Sequence, residues 1–282
     1  MNGGNRSSPF DVRTTSIALN PGSENIFEEM SSTMDSYMLI SVCDLPAPFR
    51  SAFSFRYFNS LQSECFPGCF LSDINMVISA PTGSGKTVLF ELCILRLLSR
   101  FLSQDGKLNH VKGHLKTALM PLGYCAACAI SALNFTNCKL FSHDLKIYIA
   151  PSKALVQEKL RDWNLKLGSW GVICLELTSD NESYNSKNIQ EADIILTTPE
   201  KFFAVTRHRI WDGGLSFFSD IALVLIDEVH LLNDPRGAAL EAIVSKIKML
   251  AQKPEMQSSP LAHVRFLAVS ATIPNIEDLG KI

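Results

Sequence analysis

The sequence carries no surplus of charge. Its 26 lysines and arginines stand against 28 aspartates and glutamates, a formal net charge of −2 over 282 residues. Bulk attraction to nucleic acid is therefore excluded, and any such binding must come from local patches. A disulfide framework is lacking too. The eight cysteines are scattered, and Cys125 and Cys128 form a lone Cys-x-x-Cys without the second pair that a zinc site needs. Met1 is followed by a polar stretch rich in Ser and Asn rather than a signal core, which with the scattered thiols reads as a reducing compartment. In that setting Asn134-Phe135-Thr136 reads as a chance match to a glycosylation sequon. Nor is there a membrane-spanning run. Ala118 to Leu133 falls short of the ~20 residues a spanning helix needs, and Pro121 and Gly123 interrupt it. The length suffices for one large domain or two small ones.

What is present is organised around Ala80-Pro81-Thr82-Gly83-Ser84-Gly85-Lys86-Thr87. The apolar run Met76 to Ser79 precedes it, and Val88 to Leu95 follows with helical periodicity. A strand, a glycine loop and a helix make a phosphate cradle: small residues let several N–H groups converge on one anion, with the positive end of the helix behind them. Lys86 would reach the β and γ phosphates and Thr87 would hold Mg²⁺. Ala80 stands where the pattern has its first glycine. The expected ligand is a nucleoside triphosphate.

Along the chain, residues 1 to about 45 are rich in Ser, Asn and Glu and read as a disordered leader. From Pro46 to Phe66 the composition turns aromatic, and Tyr57 to Glu64 reads as a helix. Gln62 there could read an adenine edge with its amide, or be an ordinary surface helix residue. The helix after the phosphate loop should run to about Leu102. Regularity then lapses until Lys146, with residues 114–146 an atypical insertion. Strands are predicted at Lys146–Ala150, Val172–Leu177, Asp193–Thr197, Leu223–Ile226 and Val264–Ser270. Helices are predicted at Lys153–Leu167, from Glu200, and at Gly237–Leu250. Apolar runs of four to six residues alternating with helices predict an α/β fold: a mostly parallel sheet with helices on both faces. Residues 46–282 then form one lobe.

The unusual residues fall just after strands, where such a sheet binds its ligands. Asp227 ends a hydrophobic strand and could hold Mg²⁺ opposite Thr87, with Glu228 placed to polarise a water attacking the γ phosphate. His230 sits beside them, and Ser270-Ala271-Thr272 brings two hydroxyls to the same edge as a coupling element. Three more strand ends carry groups that grip a phosphodiester backbone without reading sequence: Pro151-Ser152-Lys153, Thr178-Ser179-Asp180 and Thr197-Thr198-Pro199-Glu200-Lys201. Each alone is an ordinary turn or cap.

With these motifs in order, the chain resembles the first lobe, a RecA-like P-loop NTPase domain, of a superfamily 2 helicase. Asp227-Glu228-Val229-His230 marks the DExH type. Phe58 and Gln62 match that family's adenine-reading element. His230 to Gly237 followed by Leu240-Glu241 resembles the Ski-like group and adds Arg236 and Gly237 to the nucleic-acid contacts. Asn188 to Asp193 and Gly213 to Phe218 are most similar to the meiotic crossover-promoting DNA helicases. The resemblance covers about Phe53 to the end, apart from the insertion. It implies a nuclear enzyme that uses ATP and Mg²⁺ to move 3′ to 5′ on single-stranded or branched DNA in crossover formation, alongside recombination proteins and without a membrane. A lobe of an RNA helicase from the same group, or a fragment that binds ATP and nucleic acid without catalysis, are the alternatives. A P-loop kinase would leave Asp-Glu-x-His unexplained.

Departures from the pattern are specific. Ser179 stands where relatives carry Gly, and Phe203 where they carry Asp or another polar residue. Residues 114–146 read like translated intron, from a retained intron or a gene-model error. By the resemblance, an arginine from a second lobe completes the ATP site and contributes ~10³ or more in rate, so the chain as given should bind ATP weakly and turn it over poorly.

Overall fold

The computed structural model describes residues 12–15, 39–103, 144–178, 189, 191–209, 215–230 and 235–271. Seven strands make one sheet: β1 (Val12–Thr15), β2 (Asn75–Ser79), β3 (Leu145–Ile149), β4 (Cys174–Leu177), β5 (Ile194–Thr197), β6 (Ile221–Asp227) and β7 (Arg265–Ser270). Their spatial order is β1-β2-β7-β6-β3-β5-β4, and every pairing is parallel. Among the described residues six α-helices accompany them: α1 (Ser60–Phe66), α2 (Thr87–Leu98), α3 (Lys153–Leu167), α4 (Pro199–Arg209), α5 (Leu215–Ser219) and α6 (Pro235–Ala251).

The inner strands are mostly apolar because both faces are covered, and period two sorts their side chains. Ile78, Tyr148, Leu196, Leu225 and Val269 join one core with Phe90 of α2 and Trp163 of α3. Val77, Ile147, Ile195, Val224 and Ala268 join the other with Phe202 of α4, Phe218 of α5 and Ile243 of α6. Strand polarity then sends the β2, β3, β5 and β6 exits, and the end of β7, to one edge of the sheet.

The α/β fold expected from the sequence is present, with boundaries shifted by a few residues. The aromatic stretch begins its helix at Ser60 rather than Tyr57, because Asn59 caps it. Asn59 Oδ1 accepts from Gln62 N at 2.9 Å while Gln62 Oε1 accepts from Asn59 N at 3.0 Å, a reciprocal capping box. β3 starts at Leu145, so residues 145 and 146 belong to the sheet and not to the insertion; residues 104–143 lie outside the described residues, as do Cys125, Cys128 and the sequon.

Two parts of the expected leader are structured. Val12–Thr15 lies parallel to β2 as an edge strand. Residues 39–45 fold onto α1: Ile40 N donates to Ser63 Oγ, Ser41 bridges Tyr57, and Leu45 is buried. Arg50 holds this turn by donating to the carbonyls of Leu45 and Cys43. Segments this short show no period of their own, because their partners are distant in sequence.

Candidate functional site

β2 ends in the core and its loop turns back over the sheet edge, where Ala80 N donates to Ser270 O of β7 at 3.1 Å. Gly83 and Gly85 take φ of 82° and 83°, a region that disfavours a side chain. At Gly85 space adds a second demand: a Cβ would stand 2.4 Å from Gln62 Nε2. The loop is clasped from α1 at two successive carbonyls. Asn59 Nδ2 donates to Ser84 O at 3.0 Å and Gln62 Nε2 to Gly85 O at 3.1 Å. Lys86 folds back onto its own loop, donating to Ala80 O at 2.8 Å and Pro81 O at 3.0 Å. Ser84 Oγ is buried without a hydrogen-bond partner. Buried polar atoms are rarely left so, and an anion seated in the loop would satisfy it. Pro81 and Thr82 complete the loop, and Thr87 opens α2.

Two expectations are corrected at this end. Phe58 is 0% exposed, ringed by Phe53, Phe55 and Phe66 at 5.4–5.5 Å, so it seats α1 and presents no face to an adenine. Gln62 is not a surface residue: it is buried, and its amide is engaged with Asn59 and the phosphate loop. The surface reading fails because the helix is pinned under the loop.

β6 brings the acids. Asp227 Oδ1 accepts from Glu228 N at 3.0 Å, and Oδ2 accepts from the Tyr148 hydroxyl at 2.8 Å. Burial pushes the Asp227 carboxyl above the usual range, opposed by the Tyr148 hydrogen bond. Glu228 is left-handed, φ 54°, an uncommon conformation for a residue with a side chain. Its Oε2 is buried without a hydrogen-bond partner; His230 Nδ1 stands 3.1 Å away but becomes an ion-pair partner only when the imidazole is protonated. His230 also reaches Ser270, its backbone N–H donating to Oγ at 3.1 Å and its Nδ1 standing 3.0 Å from the same oxygen. Ser79 Oγ donates to Ala271 O at 3.2 Å. Thus β2, β6 and β7 exits are tied together, with Thr272 outside the described residues.

The third group of exits forms an open depression of about 550 Å³ lined by Pro151, Ser152, Lys153, Thr198, Glu200, Lys201 and Ala204. Ser152 caps α3, accepting from Leu155 N. A narrow cleft of about 20 Å³, lined by residues that include Pro151, Pro199, Asp227, Glu228 and Gly237, shares Pro151 with this depression and reaches the acids. Thr178 does not join it: the residue is 1% exposed and its hydroxyl donates to Glu176 Oε1 at 2.6 Å. Phe203 packs against the second core. Ser179, Asp180 and the Arg236 side chain lie outside the described residues.

The reading from sequence misses Asn59 and Tyr148. Asn59 carries a signal, a capping residue three before a glutamine; Tyr148 shows only as a polar tip inside an apolar strand. Among the described residues there is no His, Cys, Asp and Glu cluster of metal-binding size, and no helix is long and apolar enough to cross a membrane.

Comparison with known proteins fits this geometry. The DEAD/DEAH box helicase family matches residues 59–279. The chain is 68% identical over 247 residues to the ATP-dependent DNA helicase MER3 homolog of Oryza sativa subsp. japonica, covering 88% of this chain and 18% of that protein. It is 66% identical to the ATP-dependent DNA helicase homolog MER3 of Arabidopsis thaliana, covering 88% and 19%. Over 246 residues it is 36% identical to ATP-dependent DNA helicase MER3 of Saccharomyces cerevisiae, covering 86% and 16%. The chain thus spans less than a fifth of the length of these relatives. Among solved structures, DUF1998 helicase MrfA bound to DNA and AMPPNP superposes with a TM-score of 0.53 at 16% identity, covering 83% of this chain and 27% of that one, a likeness of fold.

Proposed function

Because the chain belongs to the DEAD/DEAH box helicase family, we propose that it is the ATP-binding lobe of a DNA helicase of the meiotic crossover type. The observation that carries this reading is the convergence at one sheet edge of the phosphate loop from β2 and the Asp227-Glu228 pair from β6, bridged by Ser270 of β7. Lys86 leaves its loop carbonyls for the β and γ phosphates of ATP. Residues 80 to 87 enclose them with backbone N–H groups, and the buried Ser84 hydroxyl gains an acceptor. Thr87 and Asp227 are the residues that would hold Mg²⁺, which would supply neutralising charge at those phosphates. Glu228 takes the proton of the attacking water. His230 and Ser270 relay the state of that site along the edge, with Ala271 next to them.

The adjoining depression takes the backbone of single-stranded or branched DNA, with Pro151, Ser152, Lys153, Thr198 and Lys201 lining it and Pro199 and Gly237 in the neighbouring cleft. These groups hold phosphates and read no sequence. DNA rather than RNA is favoured by the names of the plant and yeast relatives, whereas a pre-mRNA-splicing factor, brr2 of Schizosaccharomyces pombe, is 35% identical. The reading extends to a nuclear protein whose whole form unwinds DNA 3′ to 5′ beside recombination proteins. This chain as given is expected to bind nucleotide and to turn it over slowly. Titrating a fluorescent ATP analogue and a labelled oligo-dT into wild-type and Lys86→Ala chain tests it. Nucleotide binding clearly weakened in the variant with oligo-dT binding kept is the expected result; nucleotide binding unaffected by the variant would overturn the site.

A further inference from the structure

We propose that Tyr148 is a positioning residue for the acid that ends β6, fixing the orientation of the Asp227 carboxylate; this rests on the ATP–Mg²⁺ reading above. β3 and β6 pair with Tyr148 beside Leu225 and Ile149 beside Ile226, so Tyr148 shares a face with Leu225 and with Asp227 two residues on. A leucine-sized side chain at 148 would stop at Leu225. The phenol runs past it to the strand end, and its hydroxyl donates to Asp227 Oδ2 at 2.8 Å.

The other oxygen, Oδ1, accepts from Glu228 N at 3.0 Å. The last torsion of an aspartate is soft, and one donor on each oxygen fixes it. Each oxygen keeps a further lone pair for a water or a cation. The donor itself cannot swing away. Tyr148 is fully buried, edge-on to Phe90 of α2 at 5.7 Å and to Trp163 of α3 at 5.1 Å. α2 is the helix fed by the phosphate loop, and α3 the helix fed by Pro151-Ser152-Lys153. The metal-side carboxylate is therefore aimed by a ring whose two walls stand directly behind the two ligand loops. A buried phenol needs some acceptor, so a bland role in satisfying its own hydroxyl must be separated from positioning by experiment.

The test is Mg²⁺ titration of fluorescent non-hydrolysable ATP-analogue binding by the 282-residue chain and by Tyr148→Phe, with thermal unfolding of both without ligand. Outer-shell hydrogen bonds to metal-holding groups are worth about tenfold or more in metal affinity. The Mg²⁺ midpoint should rise by about that factor, with binding in EDTA and the unliganded Tm little changed. In an Asp227→Ala background the same substitution should change nothing further. Leu225→Ala, which loosens the same packing without removing a hydrogen bond, should lower Tm and leave the midpoint in place; a midpoint shift as large as that of Tyr148→Phe would overturn the proposal. An unchanged midpoint in Tyr148→Phe, with wild type showing one, overturns positioning and leaves the ATP reading standing. A wild type whose binding ignores Mg²⁺ overturns both.

Discussion

The two halves of the ligand edge are built differently. In the half formed by β2, β7 and β6, the polar groups hold one another: Lys86 on its own loop, Asn59 and Gln62 on that loop, Asp227 between Tyr148 and Glu228, His230 on Ser270. In the half formed by the exits of β3 and β5, the depression is open, and it is lined by a proline, a helix cap and two lysines among others. The difference matches the ligands proposed for each. A compact anion with a cation needs groups fixed in place, whereas a phosphodiester strand needs charge and access.

The substitutions that separate the halves run from large effects to small. Arg265 → Ala should act most strongly, and on stability. Arg265 is buried and donates to the carbonyls of Gly68, Cys69 and Ile74, tying the start of β7 to the segment that leads into β2. Its loss strands three carbonyls, a cost of about 3 kcal/mol or more, to be read as a lower urea midpoint. Lys86→Ala should weaken nucleotide binding by about 10- to 100-fold, the worth of a charge-assisted contact to phosphate, in calorimetric titration, and should leave oligo-dT binding alone. Lys153→Ala with Lys201→Ala should do the converse. Affinity for oligo-dT falls several-fold at low salt, and the slope of log affinity against log salt drops by about one to one and a half.

The smallest effect lies behind the nucleotide half, where Glu91 of α2 is buried and its Oε1 accepts from Lys166 of α3 at 2.6 Å. Burial raises its carboxyl above the usual range, with Lys166 opposing. The folded chain therefore binds that proton more tightly than the unfolded one. The contribution to stability falls as pH rises from the ordinary carboxylate value through the raised one. Glu91→Gln removes this dependence, so the Tm of the variant relative to wild type should be more favourable at pH 7 than at pH 4.

What could be read from the sequence divides along the same line. The phosphate loop and Asp227-Glu228 are contiguous in the chain and sit at the ends of apolar runs, so both the cradle and the parallel sheet around it are legible. Contacts made between distant segments are not. Phe58 and Thr178 carry suitable chemistry, but their burial is decided by the aromatic cluster and by Glu176. β1 is four residues long and exists only as a partner of β2. The Tyr148 to Asp227 bond needs the β3–β6 register, which no local pattern announces.

Amide hydrogen exchange of the chain with an ATP analogue and Mg²⁺, and separately with oligo-dT, addresses the division of the edge most directly. The analogue should protect residues 81–88 and 228–230, and oligo-dT should protect 151–155 and 198–201. Protection by oligo-dT at the phosphate loop, or by the analogue at the depression alone, would contradict that division.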